Sequence, residues 1–279
     1  MRVAVIGATG QTGPHVVRAL IAAGHEVTAV ARSAAKLATL DPRAHQSVAD
    51  AANRAQLAAA LEGAEAVVTL APHQLLSEVL TALPGSCRRI VVSGSIRKYS
   101  RFRDAGARSA RCVDEVMRGS AREYVVLNYS MIYGGREDRT VGRLKALMRR
   151  ATVIPLPDGG RHLVQPIHVA DMAAAVAAAL TRRDVAGASI DVAGPRAFPY
   201  REMVEACGAW LTRPVTIVPL PAFPFVAAET VAGWFGATLP YIGEFARMAE
   251  DKNIDIGPMR SRLGVEPIDF AEGLRRAPG

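Results

Sequence analysis

The chain has 279 residues, half of them hydrophobic and 22% charged, so it is globular rather than disordered and large enough for one big domain or a domain with a dependent lobe. No apolar run is long enough to span a bilayer, and Val3-Ala4-Val5-Ile6 ahead of Gly7 is too short for the core of a signal peptide, which excludes an integral membrane protein; three widely spaced cysteines without a C-x-x-C pair point to a reducing cytoplasm. The net charge is +8 and its excess sits in one stretch: residues 88–150 hold 16 Lys and Arg against 6 Asp and Glu, the remainder 18 against 20.

Val3–Ile6 reads as a buried strand, followed by a helix over Pro14–Ala23 that Gly24 stops. Glu26–Ala31 is a second strand. Ser33 caps a helix through Leu40, which Pro42 ends. Gln46–Val48 is a short strand, and Asn53 caps a helix through Leu61. Ala66–Leu70, Leu75–Leu83 and Arg89–Ser93 continue the alternation as strand, helix and strand. An Arg-rich loop then leads to a helix over Arg108–Arg118 and a strand over Tyr124–Asn128. Apolar strands alternating with helices predict a parallel sheet covered on both faces, a Rossmann-type doubly wound α/β fold.

From Gly134 the texture changes. Helices are predicted over Val141–Arg150, Val169–Leu180 and Arg201–Leu211, short strands over Ser189–Val192 and Val215–Val218, and a loop over Pro155–Gly160. This divides the chain into a nucleotide-binding part, 1–135, and a smaller substrate-binding lobe, 136–279, packed against it and contributing back to the sheet. Leu220–Leu239, rich in Pro, Ala and aromatics, reads as an apolar lid, an oligomer contact or a buried helical core.

Gly7-Ala8-Thr9-Gly10-Gln11-Thr12-Gly13 follows the first strand and opens the first helix. In that context Gly7 permits a tight turn, Gly10 admits a pyrophosphate close to the backbone, and Gly13 lets helix and strand pack closely. The end of the second strand, Ala31-Arg32-Ser33-Ala34-Ala35-Lys36, has no acid to bind a ribose 2′-hydroxyl. Arg32, Ser33 and Lys36 suit a 2′-phosphate instead, so NADP(H) is expected over NAD(H).

The Gly-x-x-Gly-x-x-Gly spacing resembles the extended and atypical short-chain dehydrogenases/reductases, which include NAD-dependent epimerases/dehydratases, NmrA-like proteins and relatives of an accessory NAD(P)-binding subunit of respiratory complex I. The resemblance extends over nearly the whole chain. It implies adenine contact by Asp50-Ala51, a turn beneath the cofactor at Leu70-Ala71-Pro72, and a serine motif at Val91-Val92-Ser93-Gly94-Ser95. Leu127-Asn128-Tyr129-Ser130-Met131-Ile132-Tyr133-Gly134 is similar to the family's L-R-P-x-x-I-Y-G, placing Tyr129 at the cofactor, and Val164–Asp171 is similar to its F-x-H-V-x-D.

The departures fall on the catalytic pair. The family's proton transfer needs Tyr-x-x-x-Lys, and none occurs here: the matching positions hold Gly106 and Ala110. Ser95 keeps the catalytic serine position, and Tyr99, with Arg103 four residues on, is the substitute acid/base candidate. His73, Gln165 and His168 are candidates to line a substrate pocket at the strand ends. For His168 and Asp171 the alternative is capping and orienting the helix that starts at Val169.

The expected activity is therefore an NADP-dependent oxidoreductase or epimerase-like reaction on a small organic substrate. The alternative is a non-catalytic redox sensor or assembly subunit that binds the same nucleotide. Cys87, Cys112 and Cys207 are too scattered for a disulfide framework or a zinc site, so no metal is expected. The aromatics of the basic stretch (Tyr99, Phe102, Tyr124, Tyr129, Tyr133) are too committed to strands to make a stacking platform, which argues against nucleic acid as a partner. A homodimer is left open.

Overall fold

Strands that are apolar at every position must be covered on both faces. The computed structural model, which describes residues 1–135, 138–235, 237 and 239–276, places them between two helical layers. The strands are β1 (Arg2–Ile6), β2 (Glu26–Ala31), β3 (His45–Val48), β4 (Ala66–Thr69), β5 (Arg89–Ser95), β6 (Glu123–Tyr129), β7 (Ile132–Tyr133), β8 (Val153–Pro157), β9 (Leu163–Val164), β10 (Ile167–His168), β11 (Ala188–Val192), β12 (Phe198–Pro199) and β13 (Thr216–Leu220). Seven of them form one parallel sheet in the order β3-β2-β1-β4-β5-β6-β11. The order reverses between β1 and β4, and in such sheets ligands bind outside the strand ends at that point.

The helices are α1 (Gly13–Ala22), α2 (Ala34–Leu37), α3 (Arg54–Ala60), α4 (Leu76–Ala82), α5 (Ala105–Arg118), α6 (Val141–Met148), α7 (Val169–Thr181), α8 (Tyr200–Trp210), α9 (Phe223–Trp234), α10 (Pro240–Met248) and α11 (Phe270–Arg276). Val3, Val5, Val68, Val91 and Leu127 bury one sheet face against Val16, Val17 and Leu20 of α1 and Met172, Ala175 and Val176 of α7. Ala4, Ile6, Val67, Ile90 and Val92 bury the other against Leu57, Val79, Val113 and Met117 of α3, α4 and α5. A third cluster, around Tyr133, Met148, Leu156, Phe198, Met203 and Phe270, holds the C-terminal elements together. β11 arises from that half and completes the sheet beside β6. The expected boundary residue Arg136 lies outside the described residues.

β1 to β6 lie where the sequence predicts them, to within two residues. Four local expectations need correction. α2 stops at Leu37 rather than Leu40, although Ser33 caps it, its Oγ accepting the Lys36 N–H at 3.3 Å. α5 starts at Ala105, not Arg108, because Asp104 accepts the Ala107 N–H at 2.9 Å. The stretch expected as a loop over Pro155–Gly160 begins as strand β8, paired in parallel with β13. Each strand of that pair has one neighbour, so the N–H missing at proline costs no ladder bond on the open side. Finally, α9 is no buried core: Phe223, Trp234 and Phe235 are 79%, 74% and 82% exposed. Gly236 and Thr238 of the same apolar stretch lie outside the described residues.

Asn53 caps α3 as expected, accepting the Gln56 N–H at 3.2 Å. Asn53→Ala is expected to lower stability by about 1 kcal/mol, read as a shifted urea midpoint at unchanged slope.

Candidate functional site

The chain leaves β1 through Gly7, at φ +81°, a backbone conformation that side chains disfavour. The Gly7 and Ala8 N–H groups both donate to the Val30 carbonyl, at 3.0 and 3.3 Å, which ties the turn to β2. A Cβ at Gly13 would lie 2.7 Å from the Gly7 carbonyl oxygen and nearer still to that of Ala8. Hydrogen at this position is what lets α1 sit directly on the turn. No side chain caps the N-terminus of α1, and its first turn holds no acid. The positive end of the helix is therefore left for an external anion.

Above this turn lies a cleft of about 580 Å³ at the ends of β1, β2 and β4. Of the residues predicted to hold a cofactor, Gly7, Thr9, Gly10, Gln11, Arg32, Lys36, Asp50, Ala51, Leu70, Ala71 and Pro72 line it. Thr12 and Gly13 form the start of α1, and Ser33 serves as the cap of α2. One cation of the cleft has no signal in the sequence: Arg139, carried in from the segment after β7. Arg32, Lys36 and Arg139 are exposed, and none has an acidic partner among the described residues. The one carboxylate of the lining, Asp50, is partly used, accepting the Ala52 N–H at 3.0 Å.

Leu70, Ala71 and Pro72 also line a second, more open cavity of about 410 Å³, together with Ser93, Ser95, His73, Arg97 and Gly106. Ser95 Oγ accepts the Arg97 N–H at 3.2 Å, which leaves its own O–H free to donate. Burial lowers the His73 pKa, so the ring is neutral at neutral pH. Tyr129, expected at the cofactor, lines neither of these two cavities: its hydroxyl is buried and unpartnered, and burial pushes its pKa up.

Arg97 opens onto a third cavity of about 530 Å³, which also takes in Tyr99, Asp191, Arg247, Glu250 and Lys252. Ser95 and Tyr99 thus face different cavities. The Tyr99 hydroxyl donates to Asp191 at 2.8 Å. Burial of the hydroxyl end, that hydrogen bond and the Asp114 carboxylate all push its pKa up, opposite to what a general base needs.

Gln165 and His168 do not line these cavities. Gln165 is buried and fully engaged: its Nε2 donates to Gly194 and Ile254 carbonyls, and its Oε1 accepts the Ile254 N–H at 2.7 Å. His168 caps α7, its Nδ1 accepting the Ala170 N–H at 3.3 Å, and Asp171 accepts the Ile268 N–H at 3.0 Å. Much of the basic stretch is likewise turned inward. Arg89 donates to the Ala179 and Arg182 carbonyls at the end of α7, Lys98 pairs with Asp114, and Arg111 donates to the Lys98 and Ser100 carbonyls. Of its five aromatics only Tyr99 is exposed. Among the described residues no group of His, Cys, Asp and Glu could hold a metal, and no helix is long and apolar enough to cross a membrane.

Asp104, 3% exposed, is an unpredicted anchor of this region. It pairs with Arg97 at 2.5 Å and Arg247 at 3.5 Å. Burial opposes its ionisation, but the Ala107 N–H and the two guanidinium groups outweigh this and hold its carboxyl below the usual 3.8. A carboxyl with a depressed folded pKa contributes stability present above the unfolded pKa and lost as pH falls through the folded one. D104N is therefore expected to flatten the loss of stability below pH 3.8, measured as urea midpoint against pH.

The family model described as NAD(P)H-binding matches residues 7–188. A Streptomyces protein named 3-diazoavenalumate denitrifying reductase is 27% identical, over 84% of this chain and 88% of that protein. The NADPH complex of an Escherichia coli NADPH-dependent quinone oxidoreductase superposes with a TM-score of 0.76 at 19% identity, covering 98% of both chains. UDP-glucose 4-epimerase of Thermotoga maritima, solved with UDP-glucose, gives 0.74 at 17% identity, covering 99% of this chain and 97% of that one.

Proposed function

The chain belongs to the NAD(P)H-binding family, and from that premise we propose that it is an NADPH-dependent reductase of a small organic carbonyl or quinone compound. The observation that carries the cofactor choice is the cleft itself: three cations without acidic partners among the described residues, Arg32, Lys36 and Arg139, beside the glycine turn. Arg32 and Lys36 would hold a 2′-phosphate, the turn and α1 the pyrophosphate, and Asp50-Ala51 the adenine. When bound, the reduced nicotinamide supplies a hydride. Ser93 and Ser95, with Leu70-Ala71-Pro72 as a shared wall, would place the substrate next to it, and the Ser95 hydroxyl would donate to the reacting oxygen. The lobe beyond residue 136 would close the substrate side through Arg247–Asp255.

The names of the reductase relative and of the quinone oxidoreductase neighbour agree with hydride transfer to an organic acceptor. Cytoplasmic placement fits three free thiols, and a homodimer would cover the exposed side chains of α9. The missing Tyr-x-x-x-Lys favours the second reading, a nucleotide-binding sensor without turnover. Oxidation of NADPH in the presence of quinones separates the two. In an enzyme, Ser95→Ala is expected to lower kcat about tenfold, the value of one hydrogen bond, with NADPH affinity within about twofold. In a sensor the same binding persists with no turnover to lose.

A further inference from the structure

We propose that Arg97, whose guanidinium stands where a side chain at position 106 would begin, binds the oxyanion that forms on a carbonyl or quinone substrate. This rests on the reductase reading above and names the group that makes it workable.

Gly106 occupies the position at which the resemblance calls for tyrosine, in the first turn of α5. A Cβ there would lie 2.8 Å from Arg97 Nη2, 2.5 Å from Cζ and nearer still to Nη1. The guanidinium therefore fills the start of the path a tyrosine side chain would take. The substitution at 106 and the placement of Arg97 are one device, since any side chain at 106 would displace the cation.

Four further observations leave the cation able to take an anion. Arg97 lines both the Ser93–Ser95 cavity and the Tyr99–Asp191 cavity, so it stands between the cofactor side and the lobe side. Its Nη2 is pinned by Asp104 at 2.5 Å, while Nη1 has no hydrogen-bond partner among the described residues. Its Nε is shut off from solvent with no partner. Each of the four acids lining the lobe-side cavity accepts a hydrogen bond: Asp191 from Tyr99 and Asn128, Glu250 from Ser100 and the Arg101 N–H, Asp251 from the Leu163 N–H, and Asp255 from the Gly257 N–H. A guanidinium held by Asp104, with Nη1 unpartnered among the described residues and in the same cavity lining as Ser95, is a preorganised oxyanion site.

In the step this would serve, a reduced nicotinamide would supply a hydride to the carbonyl carbon, and the C=O π pair would move onto oxygen. Arg97 and the Ser95 O–H would hold the resulting anion. Arginine keeps its proton, so water supplies the one that completes the alcohol.

A stable phenolate imitates that anion. The probe is 4-nitrophenol, titrated spectrophotometrically into the NADPH-saturated protein across its ionisation. The bound phenol is expected to ionise at least one pH unit lower than in water, equivalent to about tenfold preference for the phenolate. Arg97→Ala is expected to abolish that preference with NADPH affinity within about twofold; Arg97→Gln, which can still bond Asp104, serves equally if the alanine variant does not fold. A preference that persists in both variants, or no binding of 4-nitrophenol to the NADPH-loaded protein, overturns the proposal. NADPH binding is measured first, and its absence from the unsubstituted protein would overturn the cofactor reading on which the proposal stands.

Discussion

Arg32→Asp is expected to raise the dissociation constant for NADPH about a hundredfold while changing that for NADH by less than about threefold. Arg32 lines the cleft at the end of β2, where an adenosine ribose would lie, and no acid of the described chain neutralises it. A charge-assisted contact to phosphate contributes about 1.5–3 kcal/mol, and aspartate adds repulsion to the loss. The effect is confined to the phosphorylated nucleotide because an aspartate at this position suits a 2′-hydroxyl. Lys36 and Arg139 line the same cleft, so Lys36→Glu alone should act in the same direction and more weakly. Fluorescence titration of the two variants with both nucleotides checks the pair. An equal loss for NADPH and NADH would mean that Arg32 shapes the cleft and does not read the phosphate.

Gly13→Val is expected to remove binding of both nucleotides and to destabilise the fold. Even a single Cβ at this position would overlap the Ala8 carbonyl oxygen, and the contact is backbone, which cannot swing away. The turn or the start of α1 has to move, and overpacking of this kind costs about 1–3 kcal/mol. For a chain of this size that lowers the melting temperature by a few degrees, about 2–4 °C per kcal/mol. The nucleotide loss is the larger effect, because the same displacement turns the helix end and the turn's N–H groups away from the phosphate. Normal NADPH binding by Gly13→Val would show that the turn is not the phosphate cradle.

The two effects differ in how visible their causes were. Glycine spacing after a strand is a local signal with a local cause, and Gly7 and Gly13 are placed as it requires. The central strands were equally legible, since residues such as Val3–Ile6 and Ala66–Val68 are buried on both faces and so are apolar at every position. β8 was hidden by Pro155 and Pro157, which read as loop residues and are tolerated only because the strand pairs on one side. Arg139 and Arg97 could not be read from the chain. One sits in an acidic and basic stretch that resembles any surface loop, the other in an Arg-rich run with many equivalent candidates. Their meaning comes from contacts across the fold, with the cleft in one case and with Gly106 in the other. His168 and Gln165 show the converse. Both are polar residues near strand ends, and burial committed them to holding α7 and the Ile254 segment in place.

Direct titration of the purified protein with NADPH and with NADH, following nicotinamide fluorescence and thermal stabilisation together, tests the central claim. NADPH is expected to bind at least about tenfold more tightly, the difference one phosphate contact makes. Stabilisation by about 2.7 kcal/mol is expected when NADPH is present at about a hundred times its dissociation constant. Equal or tighter binding of NADH, or no binding of either nucleotide, would contradict the cofactor assignment.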